Sequence, residues 1–136
     1  MKTVRKIIEQ HGGIEALKKD YIRIENKPYM RLVIEWVGKG PNGFDLVSVA
    51  HYYEQNGDLM RDPEMVFLVT SQGWNPYSFQ QDNLGIYQTT MDVENARVTH
   101  IYLKVMKDLR QFAALWDRNL SEQGFLKVFI DSRPPA

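Results

Sequence analysis

The sequence predicts an α+β fold: an antiparallel β-sheet of about five or six strands, packed by a short N-terminal helical hairpin and one long C-terminal helix. Three observations lead there. Asn56-Gly57 stands between two strand-like runs and is the dipeptide of a tight antiparallel hairpin, because both residues tolerate positive φ. Apolar residues recur at helical spacing near the start of the chain and again after Val98. Between those regions lie short alternating or apolar runs bounded by Gly, Pro and Asn, the pattern of successive strands.

Taken in order, Val4, Ile7 and Ile8 share one helical face, and Gly12-Gly13 ends that helix by accepting the left-handed conformation. Ile14, Leu17 and Tyr21 continue the spacing in a second, short helix, with Lys18-Lys19 in its last turn, where cations complement the dipole. Tyr21 to Glu25 alternates and reads as the first strand. Met30, Leu32, Ile34 and Trp36 alternate against Arg31, Val33, Glu35 and Val37 and read as the second. Gly38 to Gly43 is dense in turn formers and reverses the chain into a third strand, Leu46 to Gln55. That Gly-rich stretch lacks the Gly-Lys-Ser/Thr ending of a phosphate loop and opens no helix, so it is read as a turn.

The hairpin sets a register in which Gln55 pairs with Asp58, Tyr53 with Met60, Tyr52 with Arg61 and His51 with Asp62. Pro63 has no N–H to give a ladder, so the returning strand is expected to be an edge, or bulged, near Asp62-Pro63 before Met65 to Val69 continues as a buried strand. Ser71 to Pro76 reads as a loop, followed by Tyr77-Ser78-Phe79, a turn over Gln81 to Gly85 and a strand from Ile86 to Thr90. From Val98 the period is helical, with Tyr102, Val105, Met106, Leu109, Phe112, Ala113, Trp116 and Leu120 on one stripe. The β-branched start leaves the first turn of that helix undefined, and the conformation of residues 92–104 does not follow from the pattern. Gly124 fits the left-handed position that ends the helix, with Phe125 placed to touch Leu120. Leu126 to Ile130 reads as a final strand and Ser132 to Ala136 as a fraying tail.

A chain of 136 residues and 15.9 kDa is the size of one domain, and residues 1–136 read as a single unit without linker or internal repeat. With 43% hydrophobic and 25% charged residues it falls among ordinary globular proteins rather than disordered ones. Cysteine is absent, which excludes a disulfide framework, a zinc ribbon and a thiol nucleophile. No apolar run approaches the length of a signal peptide or a membrane span, so a cytoplasmic location without membrane attachment is expected. No cofactor signature is present, and no cofactor is expected.

The 17 basic and 17 acidic residues cancel in total but not locally. Met1 to Arg31 holds eight Lys/Arg against four Asp/Glu, whereas Asp45 to Glu94 holds eight acids and a single base, Arg61, for a net charge of −7. Such a segment either steers a basic partner or is neutralised in the fold by the basic segments.

The stretch from Val47 to Met65, VSVAHYYEQNGDLMRDPEM, resembles a motif of an uncharacterised bacterial family, the domain of unknown function DUF6908. Met30 to Glu35, Trp74-Asn75-Pro76, Trp116 to Leu120 and Gln123-Gly124-Phe125 are similar to the same family's flanking blocks. The resemblance spans most of the chain beyond the N-terminal helices and is most specific in the hairpin, while Asp92 to Lys104 is longer than the family pattern. It implies a protein of phages, plasmids or conjugative elements and carries over no catalytic residue.

One polar cluster is a candidate for chemistry. In the hairpin register His51, Asp62 and Glu64 share a sheet face, where imidazole and carboxylates could hold a divalent cation or relay a proton; Asp58 lies by the turn and Glu54 points to the other face. The competing reading makes His51 and Asp62 a hydrogen-bonded cross-strand pair that fixes register. His11 and His100 stand alone, no Ser has a Gly-x-Ser-x-Gly setting, and Asp62-Pro63-Glu64 lacks the lysine of a carboxylate nuclease core. An enzyme is therefore the minority reading.

Trp74, Tyr77, Phe79 and Tyr87, set among acids and joined by Asp58 and Arg61 of the hairpin, form a candidate protein-interaction surface, with burial under the loops as the alternative. The expected partner is accordingly a protein, and a homodimer through the edge beside Pro63 is a further possibility. Nucleic-acid binding through Lys18, Lys19 and the basic helices is less favoured, because the second helix is too short for a recognition helix.

Overall fold

The computed structural model describes residues 1–133. Six strands form one antiparallel sheet in sequence order: β1 (Ile22–Ile24), β2 (Arg31–Lys39), β3 (Asp45–Gln55), β4 (Asp58–Thr70), β5 (Gly73–Gln81) and β6 (Ile86–Thr89). Short turns are sufficient to join antiparallel neighbours, which accounts for this simple meander. Two further strands, β7 (Met91–Glu94) and β8 (Arg97–Ile101), form a separate ribbon. Helices α1 (Lys2–His11), α2 (Ile14–Lys19), α3 (Leu103–Glu122) and α4 (Phe125–Ser132) complete the α+β architecture.

Alternation along the strands sends one set of side chains inward. Ile22, Ile34, Val49, Met65 and Phe79 stand in a cross-strand row and meet Val4, Ile7 and Ile8 of α1, Leu109, Ala113, Trp116 and Leu120 of α3, and Phe125 and Phe129 of α4. That layer is the main core. On the opposite face Leu46 pairs with Leu68, and the β7–β8 ribbon covers them in a smaller cluster with Met91 and Met106. Among the described residues, no second layer covers the rest of this outer face, toward β1 and the Asn56-Gly57 turn.

The hairpin forms as its dipeptide requires, with φ of 53° at Asn56 and 84° at Gly57, and Gln55, Tyr53 and Tyr52 meet Asp58, Met60 and Arg61. Beyond that point β4 carries one extra residue, since Tyr52 pairs with Arg61 but Ala50 already pairs with Glu64. The expected bulge is therefore present, and His51 faces Asp62 and Pro63 together. The edge character is also real but closed, because the Arg61 N–H donates to the Asp82 carboxylate at 2.9 Å instead of to a neighbouring strand.

Three assignments are corrected. Leu126 to Ile130 is not a strand but part of α4, because Phe125 and Phe129 lie four residues apart and bury one helical face, leaving Ile130 outward. The loop expected over Ser71 to Pro76 shrinks to Ser71-Gln72, since β5 begins at Gly73 and admits Pro76 where its pairing with β4 is irregular. Val98 to Ile101 belongs to β8, and the long helix starts at Leu103. The ribbon turns at Asn95 and Ala96, both at positive φ, without a glycine to announce it. Of the tail expected from Ser132 to Ala136, Ser132 ends α4 and residues 134–136 lie outside the described residues.

Candidate functional site

The extra residue in β4 decides where the hairpin's polar groups go. Side chains alternate with period two, so one inserted residue moves everything after it to the other face. His51 points inward, 7% exposed, with its ring centroid 5.5 Å from Trp116 and 5.6 Å from Phe125. Its Nδ1–H donates to the Arg31 carbonyl at 3.1 Å. Burial pushes the imidazole below its ordinary pKa, against the smaller opposing pull of the Arg31 and Met30 carbonyls and the Asp62 charge.

Glu64 lies on the outer face, opposite Ala50, where its Oε2 accepts a hydrogen bond from the Ser48 hydroxyl at 2.6 Å. Asp62 stays at the bulge and accepts a hydrogen bond from Gln81 Nε2 at 2.8 Å. The three residues grouped by the hairpin register thus part company: one enters the core, one holds the bulge and one joins the surface. Among the described residues no three His, Asp or Glu side chains gather as a cation site.

What does converge is a polar cluster on the outer face. Tyr52 stands across from Arg31 on one side and Arg61 on the other. Arg61 Nε is 3.6 Å from Glu64, and its Nη1 is 3.4 Å from Asp82, which also accepts from Gln80 at 3.0 Å. The Arg61 N–H, ahead of these side chains, holds the Asp82 carboxyl below its usual pKa. Burial, then the charges of Glu64 and Glu35, push the Tyr52 phenol up. Ser48 and Ala50 are small and fully enclosed at the centre, so the longer side chains of the neighbouring strands fold over them.

Beside this cluster Tyr21, Arg23, Val33, Glu35 and Leu59, with Arg31 and Tyr52, line a shallow depression of about 230 Å³. Glu25 holds the two arginines, 2.9 Å from Arg23 and 4.0 Å from Arg31. The guanidinium and carboxylate groups here are oriented by one another, with the phenols of Tyr21 and Tyr52 alongside. They can exchange hydrogen bonds with a polar surface laid against the sheet, while Leu59 and Val33 supply apolar contact.

A family model described as a domain of unknown function (DUF6908) matches residues 2–126. The chain belongs to that family. No curated protein and no solved structure matches the chain. The family match takes in α1 and α2, which the motif resemblance left out, and ends in the first turn of α4.

The aromatic residues proposed as an interface in this DUF6908 domain go largely inward. Phe79 belongs to the core, with its ring 5.2 Å from Phe112; Trp74 packs on Phe67 at 5.4 Å; Tyr77 lies against the smaller cluster. Tyr87 and Asp58 remain exposed. The acidic segment is partly neutralised by bases, since Asp45 is 2.8 Å from Lys39 and 3.7 Å from Lys18. Lys18 also binds Glu15 at 3.0 Å. Tyr21, Arg23 and Arg31 were not singled out from the sequence; the available signal was outward alternation of Arg and Tyr along the first two strands.

Proposed function

We propose that this DUF6908 chain is a non-enzymatic accessory protein of a mobile genetic element that binds another protein through its open sheet face over β1 to β4. One observation carries the reading. The helices take one face of the six-stranded sheet and the ribbon covers only the Leu46–Leu68 end of the other, leaving Tyr21, Tyr52, Arg23, Arg31 and Leu59 around an accessible depression. Tyrosine and arginine are the side chains most often found as energetic anchors of protein interfaces, because each combines a large contact area with directed hydrogen bonds. Tyr52 lies in a strand paired on both sides, opposite Arg31 and Arg61, so its backbone is already ordered before binding.

The pairing of Asp45, Glu64 and Asp82 with basic side chains favours a partner recognised by aromatic anchors and local charge register over one drawn by a broad acidic field. The mobile-element setting rests on the family resemblance alone. The test compares proteins captured from a lysate of cells carrying the element by the wild-type chain and by a Tyr52→Ala/Leu59→Glu variant that circular dichroism shows to be folded. A protein held by the wild type and lost by the variant is the expected result. Recovery of the same proteins by both, or of none by either, refutes the proposal.

A further inference from the structure

A second cleft, of about 270 Å³, opens between the β7–β8 ribbon, the end of β4 and the first turns of α3. Leu68, Met91 and Met106 are buried and form its floor with Val98, while Ile101 and Leu103 stand at the rim. Leu103 is 77% exposed and stands beside Ile101, itself 43% exposed, so the rim is apolar as well as the floor. Arg110 lies at the mouth. Its Nη2 donates to Asn75 Oδ1 at 3.1 Å, and no carboxylate pairs with it among the described residues.

The two halves of this cleft select different parts of one ligand. An apolar floor containing two methionines takes an aliphatic chain, since their flexible thioethers adapt to irregular shapes. A guanidinium has five N–H donors in a fixed fork, so one bond to Asn75 steadies it and leaves donors for an anion. Lys107 lies four residues after Leu103 and three before Arg110, and so adds a second positive charge on that helix face. The volume falls just below the usual range for drug-sized ligands, of about 300–1,000 Å³, which suits a small ligand.

We propose that this cleft binds an aliphatic chain ending in a carboxylate, with the chain against Met91 and Met106 and the carboxylate on Arg110. A free fatty acid and the C-terminus of a peptide ending in an aliphatic residue share that chemistry. The site stands apart from the open face over β1 to β4, and its occupancy does not depend on protein binding there.

The full chain carrying 13C-methyl methionine is titrated with sodium octanoate, with 1-octanol, and with a short leucine-terminated peptide whose C-terminus is free or amidated. Saturable shifts of the Met91 and Met106 methyl signals are expected with octanoate or the free peptide, with octanol or the amide about tenfold weaker. A preference for octanoate assigns a fatty acid, and a preference for the free peptide assigns a chain terminus. Arg110→Gln is expected to abolish discrimination against the uncharged analogue. Leu103→Glu, on an exposed residue in the first turn of α3 where an acid suits the helix dipole, is expected to weaken carboxylate binding without unfolding the chain. The proposal is overturned if neither carboxylate moves those methyl signals, if uncharged analogues bind equally well, or if Arg110→Gln binds like the wild type.

Discussion

Replacing Asp117 with alanine tests how α1 is fastened to the domain. Helix α1 has no side-chain cap and no acidic residue in its first turn, so its leading N–H groups need a partner from elsewhere. Asp117, buried on α3 and 114 residues from Thr3, supplies it: the Thr3 N–H lies 3.0 and 3.1 Å from the two carboxylate oxygens, and the Val4 N–H lies 3.4 Å from Oδ1. A hydrogen bond to a charged group contributes about 1.5–3 kcal/mol, and loss of a helix cap alone costs about 0.5–2 kcal/mol. These describe the same bonds and do not add, while relief of the buried carboxylate's desolvation offsets part of the loss. Asp117→Ala is therefore expected to destabilise by about 1.5–3 kcal/mol, a large share of a typical total of about 5–15 kcal/mol. Urea unfolding followed by tryptophan fluorescence reads the change, and exchange of the Thr3 and Val4 amides should accelerate with it. Asp108→Ala on the same helix is the control, since Asp108 makes only an exposed pair with Lys104 at 2.8 Å and should cost under about 0.5 kcal/mol. A loss at Asp117 no larger than at Asp108 would refute the account.

Burial of neutral His51 makes stability depend on pH. Its folded pKa lies below the unfolded value of about 6.5, so the unfolded chain binds more protons there; full stability is present above about pH 6.5 and falls as pH drops through that value toward the folded pKa. The slope in urea-derived stability should reach at most about 1.4 kcal/mol per pH unit for one proton, and His51→Gln should flatten it; an unchanged slope in that variant would assign the effect elsewhere. Gly124 has a φ of 83° and open space around a would-be Cβ, so Gly124→Ala should cost about 1–2 kcal/mol through backbone conformation alone, with Gly124→Asn closer to wild type in thermal melts. Asp82→Ala should free the Arg61 N–H at the β4 edge, seen as faster exchange of that amide with the β3–β4 turn otherwise intact; unaltered protection there would contradict the capping role.

The parts legible in the sequence were those governed by local chemistry. Asn56-Gly57 dictates its own turn, Gly124 ends α3, and the stripe from Leu109 to Leu120 finds the core because the helical period leaves it no other face to bury. The misread parts are places where local chemistry is ambiguous. Leu126 to Ile130 is a short apolar run that suits a strand or a helix, and only burial of Phe125 and Phe129 against the other helices decides. Val98 to Ile101 merges with the helical pattern because its ribbon turns on Asn95-Ala96, and alanine at a φ of 62° gives no turn signal. Pro63 signals the bulge, but a bulge cannot be placed to the residue from sequence alone, and the pairing of His51 with Asp62 holds only if the period runs unbroken through Asp62-Pro63, where the extra residue falls.

That break separates two kinds of polar residue which lie close together in the chain. His51 enters a cage of Trp116 and Phe125, where an imidazole is tolerated because its Nδ1–H donates a hydrogen bond to the Arg31 carbonyl and no charge has to form. Glu64 is turned to the surface, where Ser48 and Arg61 can stabilise its charge. Had the strand kept its period, Glu64 would stand opposite Val49 on the core face, a carboxylate among aliphatic side chains with no cation beside it. The extra residue at Asp62-Pro63 thus resolves a conflict between the hairpin register and the charge of Glu64. In doing so it brings Glu64 to the face where Arg61 already stands across from Tyr52, so the same insertion that keeps the core free of an unpaired carboxylate completes the polar edge of the surface proposed to bind a partner.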